Sequence, residues 1–282
     1  MVSARSVGLS GQTAHPSPDF KPICAGQSSR ITKPDTMKLL LTSAGIKNPS
    51  IHAALLDLLG KPIADSRALC IPTGIYPFRG GPEGAYRFIS GTAPSPLCEL
   101  GWKSIGVLEL TALPSVDKEN WIPAVEETDA LLVWGGDVMY IRRWMRESGL
   151  ADLFSSLKRE FVYVGVSAGS MVTASWIGET YTGGKPPKGD DIQSEAVIVD
   201  TPEGELRVDF TIGPGLGLVD FALLPHVGHE RFPENSLANA ELWASKLPVP
   251  LYAIDDQTAI KVVDGNVDIV SEGHWNLFAP AL

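Results

Sequence analysis

Residues 160–171 read EFVYVGVSAGSM. A continuous apolar run from Phe161 to Val166 stops at Ser167, and small residues follow as at the start of a helix. Such a run, bounded by turn residues, is the pattern of a strand covered on both faces. Gly165-Val166-Ser167-Ala168-Gly169 matches G-x-S-x-G. The strand–turn–helix context is the one in which that pattern forms a nucleophile elbow. The reason is steric. A serine at so sharp a turn takes a strained backbone conformation, and side chains at the flanking positions would collide with neighbouring elements. The hydroxyl then projects beyond the carboxyl end of the strand, where open α/β sheets bind ligands. The N–H of Ala168 points from the helix start toward any oxyanion that develops there.

Around this stretch strands and helices alternate. Upstream, apolar strands are expected at 38–42, 68–72, 104–110 and 130–134, with helices at 51–59 and 138–148. Ser50 is expected to cap the first helix and Gly60 to close it. Residues 73–96 read as a long loop with some helix near 83–89. Buried strands separated by amphipathic helices imply a mainly parallel sheet covered on both faces. After Gly184 the pattern changes. Strands are expected at 196–199, 221–224, 251–254, 258–263 and 266–270, with one helix at 236–246. Asp264-Gly265 reads as a two-residue hairpin turn. The fold class is therefore α/β, in three layers, with a mainly parallel sheet flanked by helices and an antiparallel C-terminal edge. Residues 1–36, rich in Ser, Pro, Gly and Thr and without periodicity, are expected to be a disordered extension. Residues 37–282 are expected to form a single domain, opening with MKLLLTSAG.

Composition narrows the function classes. Of 282 residues, 44% are hydrophobic, enough for a sizeable core. The net charge of −10 disfavours nucleic acid and anionic lipid as general partners. No apolar run approaches the roughly 20 residues of a membrane span. The 3 cysteines are widely spaced, with no CxxC and no Cys/His cluster. That disfavours a disulfide framework or structural zinc and fits a reducing cytoplasm. No cofactor is implied.

A lone serine is a poor nucleophile and requires a base. Of the 5 histidines, His15 lies in the extension, His52 inside a helix and His274 beyond a hairpin. His226 directly follows the apolar strand of Leu223-Leu224-Pro225, so it too sits at a strand's carboxyl end and is the expected general base. His229 and Glu230 next to it also admit a metal reading, but the spacing is short and lies on a loop. Gly135-Gly136-Asp137, ending another strand, is placed to supply the second oxyanion donor, because glycines let backbone amides approach a substrate closely.

These motifs resemble peptidase family S51, whose best-known members are the dipeptidase E (aspartyl dipeptidase) enzymes. The likeness runs from MKLLLTSAG through LLGKPI, ALCIPT, VWGGDVMYI, GVSAGSM and LLPH to AIKVVDGNVDIVSEG. It implies a fold similar to the class I glutamine amidotransferase domain, with serine in place of the nucleophilic cysteine. By motif it implies Ser167 as nucleophile, His226 as base, and Gly135, Gly136 and Ala168 as the oxyanion hole. Ser170 stands where Ala is commoner in the family, and Trp-Gly-Gly-Asp replaces Gly-Gly-Gly-Asn. The family's triad acid is expected shortly after the nucleophile helix, at Glu179, with Asp190 and Asp191 as competitors. The implied substrate is a short peptide, with an N-terminal Asp as the candidate. Its carboxylate would need a cation, for which Arg142, Arg143, Arg231 and Lys185 are available. Asp137 and Arg142 are the expected substrate-binding residues. A homodimer is the candidate assembly. The rival readings are an esterase, which uses the same elbow, and a non-catalytic small-molecule binding protein on the same fold.

Overall fold

The computed structural model describes residues 37–183 and 186–280. The expected extension at 1–36 lies outside them, as does Lys185. In chain order the first half holds β1 (Met37–Thr42), α1 (Pro49–Leu59), β2 (Arg67–Ile71), α2 (Gly81–Ile89), β3 (Ser104–Val107), α3 (Ile122–Glu126), β4 (Ala130–Val133), α4 (Val138–Glu147), α5 (Leu150–Phe154), β5 (Phe161–Val166) and α6 (Ala168–Met171). The second half holds β6 (Trp176–Tyr181), β7 (Gln193–Thr201), β8 (Gly204–Pro214), β9 (Ala222–Leu224), α7 (Leu237–Ala244), β10 (Leu251–Ile254), β11 (Thr258–Val263), β12 (Asn266–Ser271) and β13 (Trp275–Phe278). No described helix is long and apolar enough to cross a membrane.

The main sheet has 7 strands in the order β12-β11-β1-β5-β4-β2-β3. From β1 to β3 every pairing is parallel, and β11 and β12 add an antiparallel edge beside β1. The layering follows from the two-residue period of strands. Leu39, Leu41, Leu131, Val133 and Tyr163 face one way and pack on Val138, Ile141 and Met145 of α4 and on Phe154 of α5. Leu40, Leu132, Val162 and Val164 face the other way and pack on Ile51, Leu55 and Leu58 of α1 and Phe88 of α2. Strands buried on both faces show no polar alternation, which is why each reads as an unbroken apolar run.

Two details differ from expectation. The cap of α1 is Asn48, whose side chain accepts from Ile51 N–H, and Ser50 lies inside the helix. Pro49 at the first helical position accounts for the shift, since its fixed φ suits a helix start. Gly60 does close the helix, with φ 65° and its N–H on Leu56 O. The second difference is larger. Beyond α6 the chain builds two further 3-stranded sheets, β6-β8-β7 and β13-β10-β9, and only β11 and β12 return to the main sheet. Val208, Phe210 and Ile212 of β8 alternate inward onto Trp243 of α7, Leu224 of β9 and Ala253 of β10.

The Phe210 and Trp243 rings stack at 4.3 Å in this third core, and both are buried. Phe210→Ala should lower the unfolding free energy by about 3–5 kcal/mol, because the rigid surroundings cannot close the cavity. Urea denaturation followed by tryptophan fluorescence checks this, and a loss under about 1 kcal/mol would mean the small sheets pack loosely.

Candidate active site

Five strand ends meet at one place: those of β1, β4, β5, β9 and β10. β5 ends at Val166, and Ser167 turns the chain with φ 53° and ψ −120°. That backbone conformation is unfavourable for any residue with a Cβ. It is held by Ser167 N–H on Thr42 O at 3.0 Å, by Ser170 Oγ on the same carbonyl at 2.8 Å and by Tyr163 Oη on Gly169 O at 2.7 Å. Close approach makes Gly169 necessary, since a Cβ there would lie 2.2 Å from Val133 O. Ser170, unusual against the family pattern, thus has a task at the elbow.

The loop after β4 comes over the serine. A Cβ on Gly135 would sit 3.1 Å from Ser167 Cβ. Gly136 has φ 129°, and a Cβ there would lie 2.1 Å from Gly74 O. Trp134 and Asp137 direct their N–H groups to Ile71 O and Gly74 O, at 3.1 and 2.8 Å. The N–H groups of Gly135 and Gly136 between them meet no acceptor among the described residues. Ala168 N–H, first in α6, has no acceptor within the helix.

His226 comes from the small sheet, two residues past β9, and also has positive φ, 60°. Its Nε2 lies 2.9 Å from Ser167 Oγ. Its Nδ1 lies 2.7 Å from Asp256 Oδ1. Asp256 follows β10, which runs parallel to β9. It sits in a tight turn fixed by Asp255, whose Oδ1 accepts from Gln257 N–H at 3.0 Å and Thr258 Oγ1 at 2.8 Å. Ser43, just past β1, joins the two: its Oγ donates to Asp256 Oδ1 at 2.8 Å and accepts from His226 N–H at 2.8 Å. Phe232 stacks on the imidazole with centroids 4.5 Å apart. Burial opposes the Asp256 charge, but hydrogen bonds from His226 and Ser43 and the nearby His229 hold its carboxyl below the usual carboxylate range. An ionised Asp256 fixes the proton on Nδ1 and leaves Nε2 to accept from the serine.

Glu179 is therefore not the acid on His226; Asp256 occupies that position. Glu179 lies on β6, and burial, aided by the charges of Asp137 and Glu234, pushes its carboxyl up to about 8. Asp191 binds Arg142, and Asp190 is exposed. Arg142 is buried with its guanidinium committed to Asp191, so it does not offer a carboxylate pocket. Arg143 pairs with Glu147 at 2.9 Å, and Arg231 is exposed. Asp137 caps α4 through Tyr140 N–H at 2.8 Å and accepts from Tyr181 Oη at 3.3 Å. Burial raises its carboxyl despite those bonds. Asp256 carries the same signal as His226, a polar residue two positions past the end of an apolar strand. Pairing of β9 with β10 is what brings the two together.

Peptidase family S51 matches the chain over residues 39–270. No curated protein matches it. Among solved structures, one from Listeria monocytogenes EGD-e, provisionally described as a peptidase E protein, aligns with a TM-score of 0.50 at 15% identity, covering 84% of this chain and 99% of that one. A peptidase from an acI-B1 Actinobacterium aligns with a TM-score of 0.49 at 16% identity, covering 87% of this chain and 95% of that one. At such identity the Listeria likeness is one of fold, and the fold is that of a mainly parallel sheet between helix layers.

Glu179 sets a pH dependence of stability. Its folded pKa, about 8, exceeds its ordinary 4.5. Between those values the folded state binds the proton more tightly than the unfolded chain, so stability falls as pH rises through the window. The raised Asp137 acts in the same direction. Glu179→Gln removes the Glu179 part. Its Tm should match the parent near pH 4 and exceed it near pH 8.5, as read by scanning calorimetry; equal pH slopes would contradict the assignment.

Proposed function

The chain belongs to peptidase family S51, and from that premise we propose that it is a serine-type exopeptidase acting on short peptides. The observation that carries the reading is the continuous chain Ser167 Oγ–His226 Nε2 at 2.9 Å and His226 Nδ1–Asp256 Oδ1 at 2.7 Å. Both contacts lie within the reach that proton transfer demands.

In this reading Ser167 Oγ attacks the scissile carbonyl while His226 Nε2 takes its proton. The bond from oxygen to carbonyl carbon forms, and the carbonyl oxygen becomes an oxyanion. The N–H groups of Ala168 and Gly136, with Gly135 beside them, donate to it. Asp256 stabilises the imidazolium and holds its orientation without itself taking the proton. The imidazolium then protonates the leaving amine as the C–N bond breaks. Water, deprotonated by the same nitrogen, releases the acyl group from Ser167. Ser43 is a positioning residue in this scheme, because it grips both the backbone of His226 and the carboxylate of Asp256. The strained φ at Ser167 and His226 places both groups before substrate arrives, so little reorganisation is left for the reaction itself.

The test is a panel of dipeptides, including ones with N-terminal Asp, together with labelling by a fluorophosphonate. Ser167→Ala should abolish both turnover and labelling. Asp256→Asn should lower kcat on the order of 10³–10⁴-fold by leaving the wrong tautomer. Loss of one oxyanion donor costs about 10²–10³ in kcat, so Asp256→Asn should be the more damaging. A folded parent chain that cleaves no dipeptide and takes no label would defeat the proposal. Turnover of esters alone would move the chain to the esterase class.

A further inference from the structure

Pro225 and His226 interrupt the bonding of the small sheet. The parallel register of β9 with β10 runs as far as Leu224 opposite Ala253. Backbone bonding resumes at Val227, whose N–H reaches Ile254 O at 3.1 Å. In between, Pro225 brings no N–H, and the peptide unit joining it to His226 is held by side chains. At one end of this unit His226 N–H donates to Ser43 Oγ at 2.8 Å. At the other, Asn235 Nδ2 donates to Pro225 O at 3.0 Å. The grip matters because His226 has φ 60°. φ is the rotation between this peptide plane and the Cα that carries the ring. A plane fixed at both ends therefore fixes where the imidazole points, and a strained φ persists only where its surroundings over-determine it.

The surroundings of Asn235 single out that one bond. The residue is only 7% exposed. Its Oδ1 is fully enclosed and meets no donor among the described residues. A buried amide oxygen without a partner is destabilising, and an apolar residue would avoid it. Turning the amide round gives no relief, because Oδ1 would then face a carbonyl, which only accepts. The Asn235 backbone closes the same loop: its O accepts from Gly228 N–H at 2.9 Å, and its N–H donates to Phe232 O at 2.9 Å. Phe232 is the ring stacked on His226. Asn235 thus holds the residue before the imidazole, the residue two beyond it, and the backbone of the ring that covers its face. None of these bonds goes to Ser167, Asp256 or the imidazole itself.

We propose that Asn235 is a positioning residue. With Ser43 it clamps the Pro225–His226 peptide and so aims Nε2 at Ser167 Oγ and Nδ1 at Asp256 Oδ1. The role of His226 as general base rests on the preceding reading; the aim of its ring does not. Without the Asn235 donor the peptide plane is held at its N–H end alone. φ then relaxes toward the negative values that residues with a Cβ prefer, and the ring swings away from both partners.

Asn239 of α7 supplies the control. It is 5% exposed, and its Nδ2 donates to Glu234 O at 2.9 Å and Asp200 O at 3.0 Å. Asn235→Ala and Asn239→Ala both remove buried amide bonds, but only the first touches the Pro225–His226 unit. The experiment is two-bond proton–nitrogen NMR on the full, isotope-labelled chain near pH 8.5, with His226→Gln to identify the signals. The parent should show His226 in one tautomer, with the proton on Nδ1. Asn235→Ala should mix the tautomers, and Asn239→Ala should keep the parent pattern. On any dipeptide that the parent cleaves, Asn235→Ala should lower kcat on the order of 10²-fold, the scale of a misplaced catalytic group, with KM nearly unchanged. Circular dichroism reports whether each variant is folded. Should Asn235→Ala fail to fold, Asn235→Ser, whose hydroxyl falls short of Pro225 O, is read in the same way. A folded Asn235 variant with the parent's tautomer or the parent's kcat overturns the proposal. So does a parent with mixed tautomers, or an Asn239→Ala chain disturbed as much as Asn235→Ala. Because the spectrum requires no turnover, a failure of the peptidase reading remains a separate result.

Discussion

One backbone carbonyl, that of Thr42, ties the site to the sheet. It accepts from Ser167 N–H at 3.0 Å and from Ser170 Oγ at 2.8 Å. In return Thr42 Oγ1 donates to Gly165 O at 2.7 Å. The end of β1 is thus locked to both sides of the turn that carries the serine. A residue with a Cβ at φ 53° costs on the order of 1–3 kcal/mol and persists only where its surroundings over-determine it. Here the surroundings are fully buried: Thr42, Ser43 and Tyr163 are all 0% exposed. The next residue, Ser43, then meets His226 and Asp256. A single strand end therefore fixes Ser167 and, one residue later, His226 and Asp256.

That arrangement joins two sheets that share no strand. Ser167 belongs to the 7-stranded sheet, and His226 and Asp256 follow adjacent strands of a 3-stranded one. The turn at Asp255–Thr258 is the hinge of the connection, because β10 belongs to the small sheet and β11 to the large one. Ser43 N–H on Thr258 O at 3.3 Å closes the same seam. The geometry of the candidate triad consequently depends on how the second half of the chain packs as much as on the parallel sheet.

This explains what the sequence could and could not disclose. Ser167 and His226 were legible because each directly follows an apolar run, a local pattern. The central strands were legible for the same reason. Asp256 also follows such a run, but its role depends on the parallel pairing of β9 with β10, and nothing local specifies that. Counting along the chain from the serine pointed instead to Glu179, which is near in sequence, whereas the carboxylate within reach of His226 Nδ1 is that of Asp256. β6 and β8 were missed because Glu179 and Thr180 in the one, and Glu205, Arg207, Asp209 and Thr211 in the other, dilute the apolar signal. The period-two series Leu206, Val208, Phe210, Ile212 was nevertheless present in β8. Arg142 was a reasonable candidate for a substrate cation by its position on α4; only the path of the loop before β7 shows its charge already matched by Asp191.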